Sequence, residues 1–166
     1  MLIPIVNEQD EIIAYKEREE VTKEEIYRVS ALWVMNEFGE ILLAQRAATK
    51  SHSPNKRTLP VNGTVEKGEM YEENIIRETQ EEIGVELSGH RLLLKELFGG
   101  DWIKFVAIFF VQLPKSAPFV FDETEIQDAK RVSVEEFEKR LETSPSDLVP
   151  SLPSIRKLVK EKIKEM

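Results

Sequence analysis

Three glutamates, Glu78, Glu81 and Glu82, stand at i, i+3 and i+4 in a stretch where Ile75, Ile76, Thr79 and Ile83 recur on one side at helical spacing. On a helix turning about 100° per residue, the three carboxylates share an arc of about 100°, with the apolar residues roughly opposite. Crowding like charges costs a few tenths of a kcal/mol, roughly, for each i,i+4 pair. A bound divalent cation offsets that cost, and Mg²⁺ takes oxygen ligands from a few carboxylates together with substrate phosphates. The competing reading of the same pattern is a solvated acidic face, common in a chain that is 33% charged.

Composition narrows the chemistry further. The chain has 166 residues, enough for one domain with a hydrophobic core, and a net charge of −8. So acidic a balance argues against general nucleic-acid binding, which runs on basic patches. With no Cys, disulfides, thiol nucleophiles, Cys-ligated zinc and iron–sulfur clusters are excluded. Only His52 and His90 are present, so a three-His metal site is excluded too, and both read as surface residues. Carboxylates and hard metals are left to do the chemistry. The longest apolar stretch, 102–113, is interrupted by Lys104 and is too short to span a bilayer. The start of the chain lacks a basic leader, so the expectation is a cytoplasmic protein without a membrane partner.

The elements that must position the acids follow from hydrophobic patterning. Residues 2–6 and 12–15 read as a hairpin. Residues 26–35 and 41–46 read as a second apolar pair, joined by the turn sequence 36–40. A polar loop is expected over 47–58 and a glycine-containing loop over 62–68, followed by a helix over 71–83 that stops at Gly84. Residues 91–97 and 102–113 read as strands, the second central, and Ser133 as the cap of a helix over 134–141. From Ser154 an amphipathic helix turns Ile155, Leu158, Val159 and Ile163 inward. Trp33, Trp102, Phe105 and Tyr27 could stack on a base or prenyl group, although core packing is the commoner fate of strand aromatics.

Gly63, Glu69, Arg77, Glu78, Glu81, Glu82, Gly84 and Val85 fall at the spacing of the Nudix box: a Gly, five residues, Glu, seven residues, then Arg-Glu-aliphatic-any-Glu-Glu-any-Gly-aliphatic. Thr79 stands where that pattern has an aliphatic residue. The chain is identified on this motif as a member of the Nudix superfamily. The resemblance implies an α/β/α sandwich with a mixed central sheet. It divides the chain into an N-terminal β-hairpin extension (1–25), a Nudix domain (26–145, box 63–85) and a C-terminal helix packing on the domain (146–166).

In hydrolase members the box glutamates hold Mg²⁺ or Mn²⁺ and the substrate is a diphosphate. Carried over residue by residue, Glu78, Glu81 and Glu82 are the expected ligands, with Glu82 foremost and Glu78 also a candidate general base. Glu69 and Arg77 resemble the pair that braces the loop against the helix. The backbone carbonyl of Asn62 and the carboxylate of Glu125 are further candidate ligands, Glu123 being less well placed. The activity implied is Mg²⁺-dependent cleavage of a phosphoanhydride in a nucleoside-diphosphate-linked or similar small molecule. The competing class is a non-catalytic ligand sensor, which has no need to crowd three acids on one helix. Dimerisation is common in the superfamily, and the N-terminal hairpin is a candidate homodimer surface.

Segments 6–13 and 36–50 also resemble Nudix proteins close to isopentenyl-diphosphate isomerase. The isomerases carry Cys-Gly-His where this chain has Asn62-Gly63-Thr64, a His where Tyr27 stands, and an acidic pair where Lys104-Phe105-Val106 stands. Isomerase chemistry is therefore not expected. Arg46 and Lys50 match the isomerases' diphosphate-contacting residues, in a stretch, 45–57, that also holds Lys56 and Arg57 and no acid. Guanidinium and ammonium groups are suited to phosphate.

Overall fold

The computed structural model describes residues 1–164. Nine strands, β1 (Leu2–Val6), β2 (Ile12–Glu17), β3 (Ile26–Met35), β4 (Ile41–Arg46), β5 (Arg57–Thr58), β6 (Val61–Thr64), β7 (Arg91–Phe98), β8 (Ile103–Gln112) and β9 (Ile126–Val132), form one mixed sheet. Three helices, α1 (Tyr71–Ile83), α2 (Val134–Thr143) and α3 (Leu152–Lys164), cover its two faces. The last two residues of the expected C-terminal helix segment lie outside the described residues. Among those described, no helix is long and apolar enough to cross a membrane.

The organising strand is β3, apolar on both faces as a strand between two helical layers must be. Tyr27, Val29, Ala31 and Trp33 enter the layer shared with α2 and α3, where Trp33 meets Phe137 at 6.0 Å between ring centroids. Leu32 and Val34 enter the layer containing Ile75 and Ile83 of α1. Both edges of β3 are occupied, by β8 in parallel from Ile26↔Ile103 to Met35↔Gln112 and by β6 antiparallel from Val29↔Thr64 to Leu32↔Val61. The expected pairing of 26–35 with 41–46 is thereby reduced to one ladder pair, Met35↔Ile41. Instead β4 pairs with β9 and β5, so the sheet splays open between β3 and β4. The strands β6 and β9 replace stretches read as loop or left unassigned. The first contains Gly63 and the second carries Asp128, Lys130 and Arg131, so neither has a strong strand signature.

The N-terminal hairpin is fastened by one buried carboxylate. Asp10 sits in its turn with φ 61°, and its side chain is only 6% exposed. It accepts hydrogen bonds from Arg28 Nε of β3 (2.7 Å), Lys95 Nζ of β7 (2.6 Å) and the Tyr71 hydroxyl of α1 (3.0 Å). Burial alone would raise the pKa of Asp10, but Lys95, Arg28 and Tyr71 outweigh it and hold the group below its ordinary value. Asn tolerates the same left-handed backbone, so Asp10→Asn removes the charge and little else. We expect that substitution to cost about 2–3 kcal/mol at pH 7 in denaturant unfolding. A depressed carboxyl pKa stabilises the fold above the unfolded value and loses that effect as pH falls through the folded value. The difference between wild type and Asp10→Asn therefore narrows below about pH 4.

Candidate active site

The site is built where α1 crosses β6. Gly63 lies under the helix so closely that a Cβ there would overlap the Glu78 side chain and stand 2.8 Å from Asn74 Oδ1. The absent side chain leaves room for carboxylates between helix and strand. Glu82 is 9% exposed and the Glu78 side chain 15%, while the Glu81 side chain is 56% exposed. The arrangement corrects the expected placement of the acids opposite the apolar stripe. Glu78 and Glu82 adjoin Ile75, Thr79 and Ile83 on the packed side, and only Glu81 turns outward. Ile76, expected inside, is 39% exposed, because the buried arc is shifted toward the acids and Asn74. Thr79 is wholly buried on this stripe, with no partner for its hydroxyl among the described residues.

Glu78 and Glu82 lie within hydrogen-bonding reach of each other. Burial, then the charge of Glu78, pushes the Glu82 pKa up to about 9, with Glu125 adding to the effect. Glu78 is also raised, by burial first, against the lowering influence of Arg77. The backbone N–H of Asn62 donates to Glu82 Oε2 at 3.4 Å. Glu82, Asn62, Arg46 and Glu125 line one small cleft with Ala44, Thr58, Leu59, Pro60 and Ile126. That cleft lies between β4 and β9 on one side and β6 and α1 on the other.

Arg77 organises the opposite side of the helix start. Its Nε donates to Glu69 Oε1 at 2.8 Å and its Nη1 to Glu81 at 3.2 Å, with Glu78 Oε1 also 3.2 Å away. Glu69 in turn accepts the backbone N–H of Glu66 and the side-chain amide of Asn74, each at 3.0 Å. Although burial opposes its charge, Arg77, Glu66 and Asn74 together keep the Glu69 pKa low. These bonds fasten the loop ahead of α1 to the helix. Asn74, fully buried and also bonded to the Thr64 carbonyl, belongs to this brace. Its signal in sequence is a lone polar residue on the packed side of an amphipathic helix. Gly84 ends the helix with φ 69°, its N–H donating to the Gln80 carbonyl.

The basic stretch is largely spoken for. Lys50 pairs with Glu125 (2.7 Å), Arg57 with Asp128 (2.7 Å), and Lys56 donates to the Ser146 carbonyl (2.6 Å). Arg46 remains facing the cleft, steadied by a 3.0 Å bond from its Nε to the His52 carbonyl. Trp33 and Phe105 are core residues, and His90, expected at the surface, is largely covered between Glu72 and Phe109.

Glu78 and Glu82 lie against each other with Arg77 beside Glu78 alone, and hard oxygen donors of this kind fit Mg²⁺ or Mn²⁺. The described residues hold no preformed group of three His, Asp or Glu side chains set to hold a metal ion. The remaining positions of a cation at the pair would fall to the Asn62 backbone, to Glu125 across the cleft, to water and to substrate.

The NUDIX domain family model matches residues 25–152. The chain belongs to the Nudix family. It is 35% identical over 86 residues to a Nudix hydrolase of Deinococcus radiodurans, covering 51% of this chain and 50% of that protein. It spans about half the length of the first such curated relatives. A prenyl-diphosphate phosphatase of Methanosarcina mazei is 29% identical over 96% of both chains. Among solved structures, DR0079 of Deinococcus radiodurans superposes with a TM-score of 0.80 at 26% identity, covering 93% of this chain and 96% of that one. The likeness to isomerase-like members rests on the sequence segments alone.

The proton held on Glu82 makes a prediction for this Nudix site. Its carboxyl pKa rises from 4.5 to about 9 on folding, so the folded protein binds a proton that the unfolded chain releases across that range. Stability of the metal-free protein therefore falls as pH rises through that window. In a chelator at pH 8, Glu82→Gln is expected to melt above wild type, with the gap closing toward pH 5; a lower melting temperature at pH 8 would contradict the buried pair.

Proposed function

We propose that this protein is a divalent-metal-dependent hydrolase that cleaves the phosphoanhydride of a small-molecule diphosphate. The observation that carries the reading is Glu82, buried against Glu78 and lining the cleft beside Arg46. A ligand sensor has no use for two carboxylates held together at this cost. Nucleoside-diphosphate-linked compounds are one substrate class; the likeness to a prenyl-diphosphate phosphatase along nearly the whole chain supports prenyl diphosphates as a second.

Hydrolysis adds water across a P–O–P bridge: the water oxygen bonds to one phosphorus, the bond from that phosphorus to the bridging oxygen breaks, and the bridging oxygen leaves with the other phosphate and gains a proton. Mg²⁺ or Mn²⁺ at the site would neutralise the diphosphate and ease deprotonation of the attacking water. Glu78 and Glu82 would hold that ion and are the groups placed to take a proton. Glu81, exposed and bonded to Arg77, joins the ligand set only by leaving that partner. Glu69, Arg77 and Asn74 keep the loop and helix in register, so they act through position. Arg46 faces the substrate phosphates, and Lys50 becomes available to them if Glu125 turns to the metal.

Product release should be followed with Mg²⁺ or Mn²⁺ across nucleoside di- and triphosphates, nucleotide sugars, dinucleotides and prenyl diphosphates. Turnover by wild type that falls about 100-fold or more in Glu82→Gln is the expected result. Metal-independent tight binding of one compound without turnover would replace this reading with the sensor.

A further inference from the structure

Beyond the carboxylate cleft, three cations gather without an acid. Arg18, just after β2, lies over two rings, its Cζ 4.7 Å from the Tyr27 centroid and 5.5 Å from that of Trp102. Its Nη2 donates to the Tyr27 hydroxyl at 3.4 Å. Lys104 is the register partner of Tyr27 on the parallel strand β8, so the two side chains leave the sheet on the same side. From the far side, the 47–56 loop folds over to set His52 edge-on to Trp102 at 6.2 Å, and the His52 carbonyl holds Arg46 Nε. Arg18, Lys104 and Arg46, distant in sequence, thus come together beside Tyr27 and Trp102.

Ordinarily such cations are paired. Among the described residues, none of these three pairs with a carboxylate. The Lys104 ammonium is largely enclosed, and burial, then Arg46 and Arg18, pull its pKa down. An enclosed unpaired ammonium facing two guanidiniums costs stability, in a chain with acids to spare. Arg46 is the link to the catalytic region, since it also lines the cleft with Glu82. Of the carboxylates there, Glu125 is taken by Lys50 and Glu82 by Glu78.

We propose that Arg18, Lys104 and Arg46 form an anion subsite, walled by Tyr27 and Trp102, that holds the terminal phosphate of the substrate while the carboxylate pair addresses the neighbouring phosphorus. A terminal phosphate brings about two negative charges and three free oxygens, matching three converging donors, as an ester-capped phosphate does not. The preferred substrates are therefore diphosphates that end in a free phosphate, and nucleotide sugars, capped at both ends, are poor ones. This assignment of roles rests on the hydrolase reading; the presence of the subsite does not.

Calorimetric titration of inorganic pyrophosphate into the full chain, with a chelator present, tests it. Wild type should bind it, while Lys104→Met and Arg18→Gln each weaken binding about tenfold or more. A nucleotide sugar should not compete. Folding of the variants is checked by melting: without phosphate Lys104→Met should melt at or above wild type, and pyrophosphate should raise the melting temperature of wild type only. Wild-type affinity in folded Lys104→Met overturns the subsite, and equal competition by the nucleotide sugar overturns the terminal-phosphate assignment. Lys104-dependent binding in a protein that hydrolyses nothing would leave the subsite standing and remove the hydrolase.

Discussion

Everything at the candidate site depends on how closely α1 can approach β6, and that approach is set by Gly63. Any side chain there would occupy the space of Glu78 and press on Asn74. With hydrogen in its place, the helix sits against the strand and buries Glu78 and Glu82 beside Ile75 and Ile83 rather than pointing them at solvent. The brace of Glu69, Asn74 and Arg77 holds the loop and helix in that relation. Two acids drawn from water against each other, with Arg77 beside Glu78 alone, are an unfavourable arrangement, tolerated where function requires it.

Charge is distributed with the same economy across the molecule. Asp10, whose side chain is also kept from solvent, is paired by Arg28, Lys95 and Tyr71 and serves as a fastening. Among the described residues Glu82 has no basic partner, and its carboxyl pKa is raised. On the cationic side, Arg57 and Lys50 pair with carboxylates and Lys56 with a carbonyl, whereas, among the described residues, Arg46, Lys104 and Arg18 pair with no carboxylate. Unpaired acids and unpaired bases thus face the same region from different elements. That polarity suits a substrate whose phosphates bridge a metal ion and fixed cations.

Much of this was legible in the sequence. The helix over 71–83 and its glycine stop, the hairpin, the Ser133 cap and the long strands carry strong local patterns, and the Nudix box names its own residues. Pairing was less legible: 26–35 and 41–46 look like a hairpin, but β3 has both edges filled by strands far away in sequence, which no local pattern reports. Helical spacing placed three glutamates on one face yet could not tell that a glycine opposite would draw two of them inward. Likewise, the acid-free stretch 45–57 looks like one basic loop. Its partners, Glu125, Asp128 and Ser146, come from the distant β9 region and the turn after α2, so its charge is mostly spent before a ligand arrives. Arg18 and Lys104 carry no signature at all until Tyr27 and Trp102 bring them together.

Mn²⁺ binding to Gly63→Ala tests the central claim most directly, read by electron paramagnetic resonance alongside wild type and alongside Gly99→Ala as a control with no such contact and no positive φ. The account predicts that Gly63→Ala keeps its helical circular dichroism but loses about tenfold or more in Mn²⁺ affinity, as the displaced Glu78 no longer meets Glu82. A folded Gly63→Ala protein that binds Mn²⁺ as tightly as wild type would contradict it.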